Sequence, residues 1–231
     1  ASVASHDLQE PLRKIQIFSN LLKNNETGLS EQSEIYLNKI IYSSGRMKTL
    51  IIDVLNYSRL SVNDMEAEWV DLNEVIKELQ EDFELIIQEK GARLNVDQLP
   101  QLEGNKGQLR QVFQNIISNA LKFSIPGKSP VIFIHSKRLR NKSFDSVEDA
   151  NGPFCLITIE DNGIGFNENY VSNIFALFER LNSKDKYEGT GIGMAIAKKI
   201  VDKHNGLITA TGKEGIGARF KIILPIKQSK I

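Results

Sequence analysis

Asp161-Asn162-Gly163-Ile164-Gly165-Phe166 sets a carboxylate at the end of an alternating apolar run. Residues 154–160 read as a strand in which Cys155, Ile157 and Ile159 share one face, and Asp161 continues that face. A carboxylate turned inward needs a donor, because an unpaired buried charge is costly. The exocyclic amine of an adenine would serve. Gly163 and Gly165 let the backbone come close to a flat or anionic ligand. A turn aspartate with ordinary turn glycines would explain the same letters.

Three further constellations can do chemistry. On a helix expected over 105–124, Gln108, Gln111, Asn115, Asn119 and Lys122 fall within one narrow stripe at 100° per residue, with apolar residues over much of the remainder. Amide oxygens suit Mg²⁺, a hard ion that leans on phosphates, and Lys122 suits a phosphate as a point charge. A plain solvated face is the other reading. Glu188-Gly189-Thr190-Gly191-Ile192-Gly193-Met194 leads into a helix expected over 191–204, and glycines at a helix start make an anion site from free N–H groups. Its G-x-G-x-G spacing after a charged loop is neither a dinucleotide fingerprint nor a Walker A loop. His6 and Asp7 sit near the start of an N-terminal helix, with Pro11 a turn later. An imidazole there can act as a nucleophile with an acidic neighbour as base or orienting group, or the two can form a solvated surface pair.

The elements that must position these groups differ between the two parts of the chain. Helices are expected over 2–23 and 30–61. Leu8, Leu12, Ile15, Ser19 and Leu22 form one seam, and Leu37, Ile40, Ser44, Met47, Ile51, Val54 and Ser58 the other. Joined by a short turn, they make an antiparallel hairpin whose apolar sides need a second copy, giving a four-helix bundle, or the chain's own second half. Residues 61–68 are polar and acidic, a linker. Beyond them helices and strands alternate: strands at 69–70, 92–96, 131–139, 154–160, 207–211 and 219–224, helices from 71 or 73 to 88, over 105–124, 171–178 and 191–204, a loose polar loop at 141–153 and a mobile charged one at 182–189. The fold class is α+β: a helical hairpin in domain 1–67, then a two-layer α/β sandwich in domain 68–231.

The 231 residues suffice for two modest cores. Twenty-nine Lys and Arg balance 29 Asp and Glu, so no electrostatic case exists for nucleic acid. The single Cys155 excludes an internal disulfide and suits a reducing compartment. No run is long enough to span a bilayer. The chain starts at Ala1 within a predicted helix, as a piece of a longer protein would.

The second half resembles the ATP-binding domain of sensor histidine kinases, within the wider gyrase, Hsp90, kinase and MutL class (the GHKL ATPases). QVFQNIISNALKFS is similar to the N box, DNGIGF to the G1 box, IFALFERL to the F box and GTGIGMAIAKKIV to the G2 box. SHDLQEPLRKI resembles the H box of the dimerisation and phosphoacceptor hairpin, in a variant common in phytochrome-like and PAS-linked kinases. The resemblance implies ATP and Mg²⁺. His6 would be the phosphoacceptor and Asp7 its acidic helper. Asn119 would hold Mg²⁺, with Asn115 and Lys122 beside the phosphates. Asp161 would bind the adenine in a pocket shaped by Gly163 and Gly165. Phe175 and Phe178 would anchor a lid, with Arg180 near the γ-phosphate. Gly189, Thr190, Gly191 and Gly193 would line the phosphates. It also implies a homodimer, a response-regulator receiver domain as partner, a sensor domain upstream and a cytoplasmic location. A GHKL ATPase switch or a silent dimeric scaffold are the rival functions. Glu10 stands where many relatives with phosphatase activity carry Thr or Asn, and a carboxylate there disfavours attack of water on a phosphoryl group.

Overall fold

The structure, a computed structural model, describes residues 2–25, 28–60, 66–179 and 189–228, with the backbone alone for 2–7 and 172. The expected lid, Arg180 and residues 61–65 of the linker lie outside the described residues. The chain divides into two units. One comprises 1–63 with 188–192, the other 64–187 with 193–231.

The first unit is built on a hairpin of α1 (Ser2–Asn25) and α2 (Glu31–Arg59). Ser30 caps α2 by accepting from the Ser33 N–H at 3.2 Å. The antiparallel register is fixed by Lys23 Nζ donating to Asn38 Oδ1 at 2.9 Å and by Gln16 lying against Gly45. The two predicted seams split into two rows. Leu12, Ser19, Leu37 and Ser44, seven apart within each helix, are buried between the helices. Leu8, Ile15 and Leu22 on α1, and Ile40, Met47 and Val54 on α2, repeat at the same interval but stay exposed. A heptad seam has two positions, and one hairpin covers only one of them.

The second unit contains a five-stranded sheet in the order β2-β4-β5-β7-β6: β2 (Arg93–Val96), β4 (Val131–Leu139), β5 (Phe154–Asp161), β7 (Gly217–Pro225) and β6 (Leu207–Lys213). β2 runs parallel to β4, and the other pairs are antiparallel. A separate pair joins β1 (Glu68–Asp71) to β3 (Gln101–Gly104), a strand the sequence did not announce. β3 has one buried apolar residue, Leu102, and pairs across two helices and β2, so alternation is too short to read. α3 (Leu72–Asp82) is capped by Asp71 and ends at Phe83, where α4 (Glu84–Lys90) begins. The expected helix to residue 88 is therefore two. α5 (Lys106–Lys122) packs between α3 and α7 (Gly193–Lys203). Seven residues of its inner side, from Leu109 to Leu121, are at most 4% exposed. Near the site a short 3₁₀ turn, Glu168–Tyr170, leads into α6 (Val171–Ile174), half the expected length. Among the described residues no helix is long and apolar enough to cross a membrane.

β5 is buried on both faces from Cys155 to Ile159. One face meets the helices. On the other, Leu139, Leu156 and Ile223 form a cluster with Phe144, Phe154 and Leu207 packed against it. The 141–153 segment is thus not loose. Phe144 anchors it over the sheet, and its polar letters hid that single aromatic contact.

His204 follows directly on α7. Its place at a helix end favours a cation, yet its side chain is fully buried. Nε2 accepts the Asn105 N–H at 3.1 Å, so the proton sits on Nδ1, which lies 2.8 Å from the Ile200 carbonyl oxygen. The ring ties the end of α7 to the N-cap of α5. Burial pushes its pKa below the ordinary 6.5. Below that value the unfolded chain takes up a proton that the folded ring resists, so stability falls as the solution is acidified through it. Between about pH 7.5 and about pH 5.5 the loss from this group is at most about 1.4 kcal/mol. Urea unfolding should show a steeper loss in the wild type than in His204→Gln. Equal pH slopes would contradict a neutral buried ring.

Candidate nucleotide site

The amide stripe of α5 is half-buried along its whole length. Gln108, Gln111, Asn115, Asn119 and Lys122 neither face open solvent nor join the core, which is what a groove wall requires. The helix starts at Asn105, whose Oδ1 accepts from the Gln108 N–H at 3.0 Å. Gln108 Oε1 is buried without a hydrogen-bond partner among the described residues. Asn115 Nδ2 donates to the Gly193 carbonyl at 2.9 Å, which fixes the start of α7 against α5. None of the hydrogen bonds within the described residues uses the Asn119 side chain. The Lys122 ammonium stands 4.5 Å from the Phe123 ring centroid.

Asp161 ends β5 on its helix-facing side, in line with Cys155, Ile157 and Ile159, all at most 1% exposed. Its Oδ1 accepts from the Gly163 N–H at 2.8 Å and the Ala218 N–H at 3.3 Å. Among the described residues none donates to Oδ2. Burial pushes the carboxyl pKa up, against the opposing pull of the two N–H groups. The site therefore holds an acceptor in an apolar wall with one oxygen left for a ligand.

The glycines do something the sequence did not indicate. A Cβ on Gly163 would lie 2.6 Å from the Phe123 carbonyl oxygen, and one on Gly165, at φ +63°, would lie 2.0 Å from that of Lys213. Their missing side chains admit the protein's own backbone. Phe123 O accepts from the Ile164 N–H at 2.9 Å, and Ile164 O accepts from the Gly215 N–H at 2.7 Å. The Asp161 loop is thus clamped between the end of α5 and the β6–β7 hairpin. Ala218 and Phe123 serve the site through backbone atoms alone, so no side-chain pattern could reveal them. Asn162, the middle letter of the motif, ties the loop to β4: its Oδ1 accepts from the Val131 N–H at 2.9 Å and its Nδ2 donates to the Ser129 carbonyl at 3.1 Å.

The remaining predicted residues are divided between the two units. Gly193 opens α7 beside Asn115. Gly189, Thr190 and Gly191 group with the first unit, where Thr190 Oγ1 donates to Asp53 at 2.6 Å. Phe175 is half-buried, whereas Phe178, at φ +67°, is 55% exposed. The His6 and Asp7 side chains and all of Arg180 lie outside the described residues. The backbone at His6 and Asp7 is helical, as expected. Glu10 pairs with Lys14 at 2.9 Å, which tempers but does not remove its charge.

No group of three or more His, Cys, Asp or Glu among the described residues can hold a metal. The donor set on α5 is amide, and it suits Mg²⁺ brought in by phosphates rather than a metal caged by protein.

A family model described as Histidine kinase-, DNA gyrase B-, and HSP90-like ATPase matches residues 104–228, which contain α5, the Asp161 loop and α7. A second, His Kinase A (phospho-acceptor) domain, matches 1–63. The chain belongs to the histidine kinase family. It is 35% identical over 227 residues to the phytochrome-like protein Cph1 of Synechocystis, covering 98% of this chain and 29% of Cph1. It is 34% identical to cyanobacterial phytochrome A of Nostoc, covering 98% of this chain and 28% of that protein. The chain thus spans less than a third of these curated relatives. Among solved structures, full-length ShkA in complex with AMPPNP shares the fold with a TM-score of 0.70 at 22% identity, over 100% of this chain and 46% of that one. The two domain types and the α+β class expected from the sequence are those of the histidine kinase family.

Proposed function

We propose that the chain is the catalytic core of a two-component sensor kinase, which phosphorylates its own His6 from ATP and passes the phosphoryl group to an aspartate of a receiver domain. The observation that carries this reading is Asp161, a half-buried carboxylate with one oxygen held by two backbone N–H groups and the other without a protein donor among the described residues. A purine amine supplies that donor. The phosphates then run toward Asn115, Asn119, Lys122 and Gly193; for Gly189, Thr190, Gly191, Phe178 and Arg180 we propose the nucleotide-binding roles that the resemblance of their motifs implies. Asn119 would hold Mg²⁺, which supplies charge neutralisation on the phosphates.

The chain's own residues bind and position. Asp161 selects the base, α5 aligns the phosphates, and an imidazole nitrogen of His6 attacks the γ-phosphorus. A nitrogen–phosphorus bond forms, the bond from that phosphorus to the bridging oxygen breaks, and ADP leaves. Asp7 would take or hold the imidazole proton. We assign 1–67 to the phosphoacceptor hairpin and 68–231 to the nucleotide domain.

A homodimer is supported by the bare heptad row, Leu8, Ile15, Leu22, Ile40, Met47 and Val54, all more than a third exposed. Burying such side chains stabilises association by roughly 1.5–3 kcal/mol each at full burial. A receiver partner is supported by likeness in fold to the histidine kinase ThkA, whose structure was solved in complex with the response regulator protein TrrA (TM-score 0.65, 22% identity, over 100% of this chain and 62% of that one). A sensor domain upstream and a cytoplasmic location complete the reading.

The test is incubation with γ-labelled ATP and Mg²⁺, followed by acid and alkali. Protein-bound label that acid removes and alkali spares is expected. ATP turnover with no bound label would replace the kinase by an ATPase switch. Neither label nor turnover would leave a dimeric scaffold.

A further inference from the structure

A cavity of about 470 Å³ opens at the end of the sheet remote from Asp161. Phe154 starts β5 and Asp161 ends it. Seven steps of about 3.3 Å put the two ends roughly 23 Å apart. All the lining residues belong to the second unit, and none is acidic. Its cations are Arg138, Lys142 and Lys227, and its apolar wall is Phe154, Pro225 and Ile226. Pro225 and Ile226 are buried and Phe154 half-buried.

The cations come from two separate segments: the end of β4 with the loop directly after it, and the residues following β7. In a chain whose formal charges sum to zero, three converging cations are a local feature. The groups are also oriented. Arg138 Nε donates to the Gly152 carbonyl at 2.7 Å, which fixes the guanidinium plane and leaves both terminal nitrogens for other acceptors. Lys142 Nζ donates to the Asn205 carbonyl at 3.2 Å, using one of its three protons. Among the described residues the Lys227 ammonium has no hydrogen-bond or ion-pair partner. The carboxylate within electrostatic reach of Arg138 is Asp149, which is bound instead by Arg140 and by the Asn151 N–H. Among the lining residues, all of them described, none carries a carboxylate to neutralise the positive face.

We propose that this cavity is a second ligand site, for a small carboxylate, sulfonate or phosphate carried on an apolar body. The anion meets Arg138, Lys142 and Lys227, and the apolar part lies against Phe154, Pro225 and Ile226. The volume is that of an ordinary small-molecule site, and an apolar lining with a few converging polar groups is its usual composition. The proposal does not depend on the kinase reading, since no residue of the nucleotide site lines the cavity.

The probe is 8-anilinonaphthalene-1-sulfonate, with uncharged N-phenyl-1-naphthylamine as its control, followed by amide shifts of the whole chain. Both dyes can adsorb on the bare hairpin face, so residue-resolved shifts are needed. The amides of Gly152, Asn205 and Lys227 are expected to move saturably with the sulfonate and weakly with the neutral dye. Saturating ATP should not displace the sulfonate from them. In K142E/K227E, which reverses two exposed charges, affinity read at these amides should fall at least about tenfold. Arg138→Gln should weaken it as well. Shifts elsewhere in the variants report whether the fold is kept. Unmoved amides, equal affinity in K142E/K227E, equal response to the neutral dye, or displacement by ATP would each overturn the assignment.

Discussion

Replacing His6 by Gln is expected to abolish phosphoryl label on the protein while leaving ATP affinity unchanged. Gln keeps a polar side chain of similar reach, but its amide nitrogen shares its lone pair with the carbonyl and is not a nucleophile. His6 lies in α1 one turn before Pro11. Proline has no N–H, so the Asp7 carbonyl receives no helical hydrogen bond from it, and α1 is weakened beside the proposed phosphoacceptor. The residues proposed for the adenine and α5 groups, by contrast, all belong to the second unit. The two functions should therefore separate: label lost, nucleotide titration intact. Retained label in the variant would move the phosphoacceptor to another side chain.

Asp161→Asn is expected to weaken ATP binding by about a hundredfold and to leave the nucleotide-free protein as stable as before, or more so. The amide oxygen of Asn can still accept from Gly163 and Ala218. Its NH₂ then faces the ligand where Oδ2 was, donor against donor. Losing a charged acceptor and adding a mismatched donor costs about 3 kcal/mol in binding. Stability runs the other way. Burial raises the Asp161 pKa in the folded state above its ordinary 3.8. A group so shifted lends stability below its unfolded pKa and loses it as pH rises through the folded pKa, so at neutral pH the ionised carboxylate weakens the fold. Asn removes that charge. The wild-type deficit relative to Asp161→Asn should shrink as the solution is acidified through the raised pKa. Calorimetry without nucleotide and titration with ATP check the two halves. A lower melting temperature with unchanged affinity would make Asp161 a structural turn residue, the alternative its motif left open.

Legibility in the sequence followed the range of the interactions. Asp161 could be placed on the core side of β5 because parity along a strand is local, and its apolar companions sit two residues apart. The α5 stripe was legible for the same reason, at a period of 3.6. What failed was contact between distant segments. His204 reads as a surface cation until the Asn105 N–H, 99 residues away in sequence, is found on its ring. The 141–153 segment reads as loose until Phe144 meets the outer face of the sheet. β3 leaves no local signal because its partner, β1, lies about thirty residues earlier. Each hairpin seam is a single stripe in the sequence, and only packing divides it into a buried row and a bare one.

By itself the sequence determined the helical hairpin, the α+β class of the second part, the family, and the polar stripe of α5 with the inward carboxylate of Asp161. Those follow from periodicity and from motifs whose letters are side chains. The tertiary structure decided which backbone groups hold them. Oδ1 of Asp161 is set by the N–H of Ala218, and the Asp161 loop by the carbonyl of Phe123, and every non-proline residue carries the same N–H and C=O. A group common to all residues leaves no mark in the sequence. Its role appears only when the chain has folded and distant backbone comes within hydrogen-bond reach.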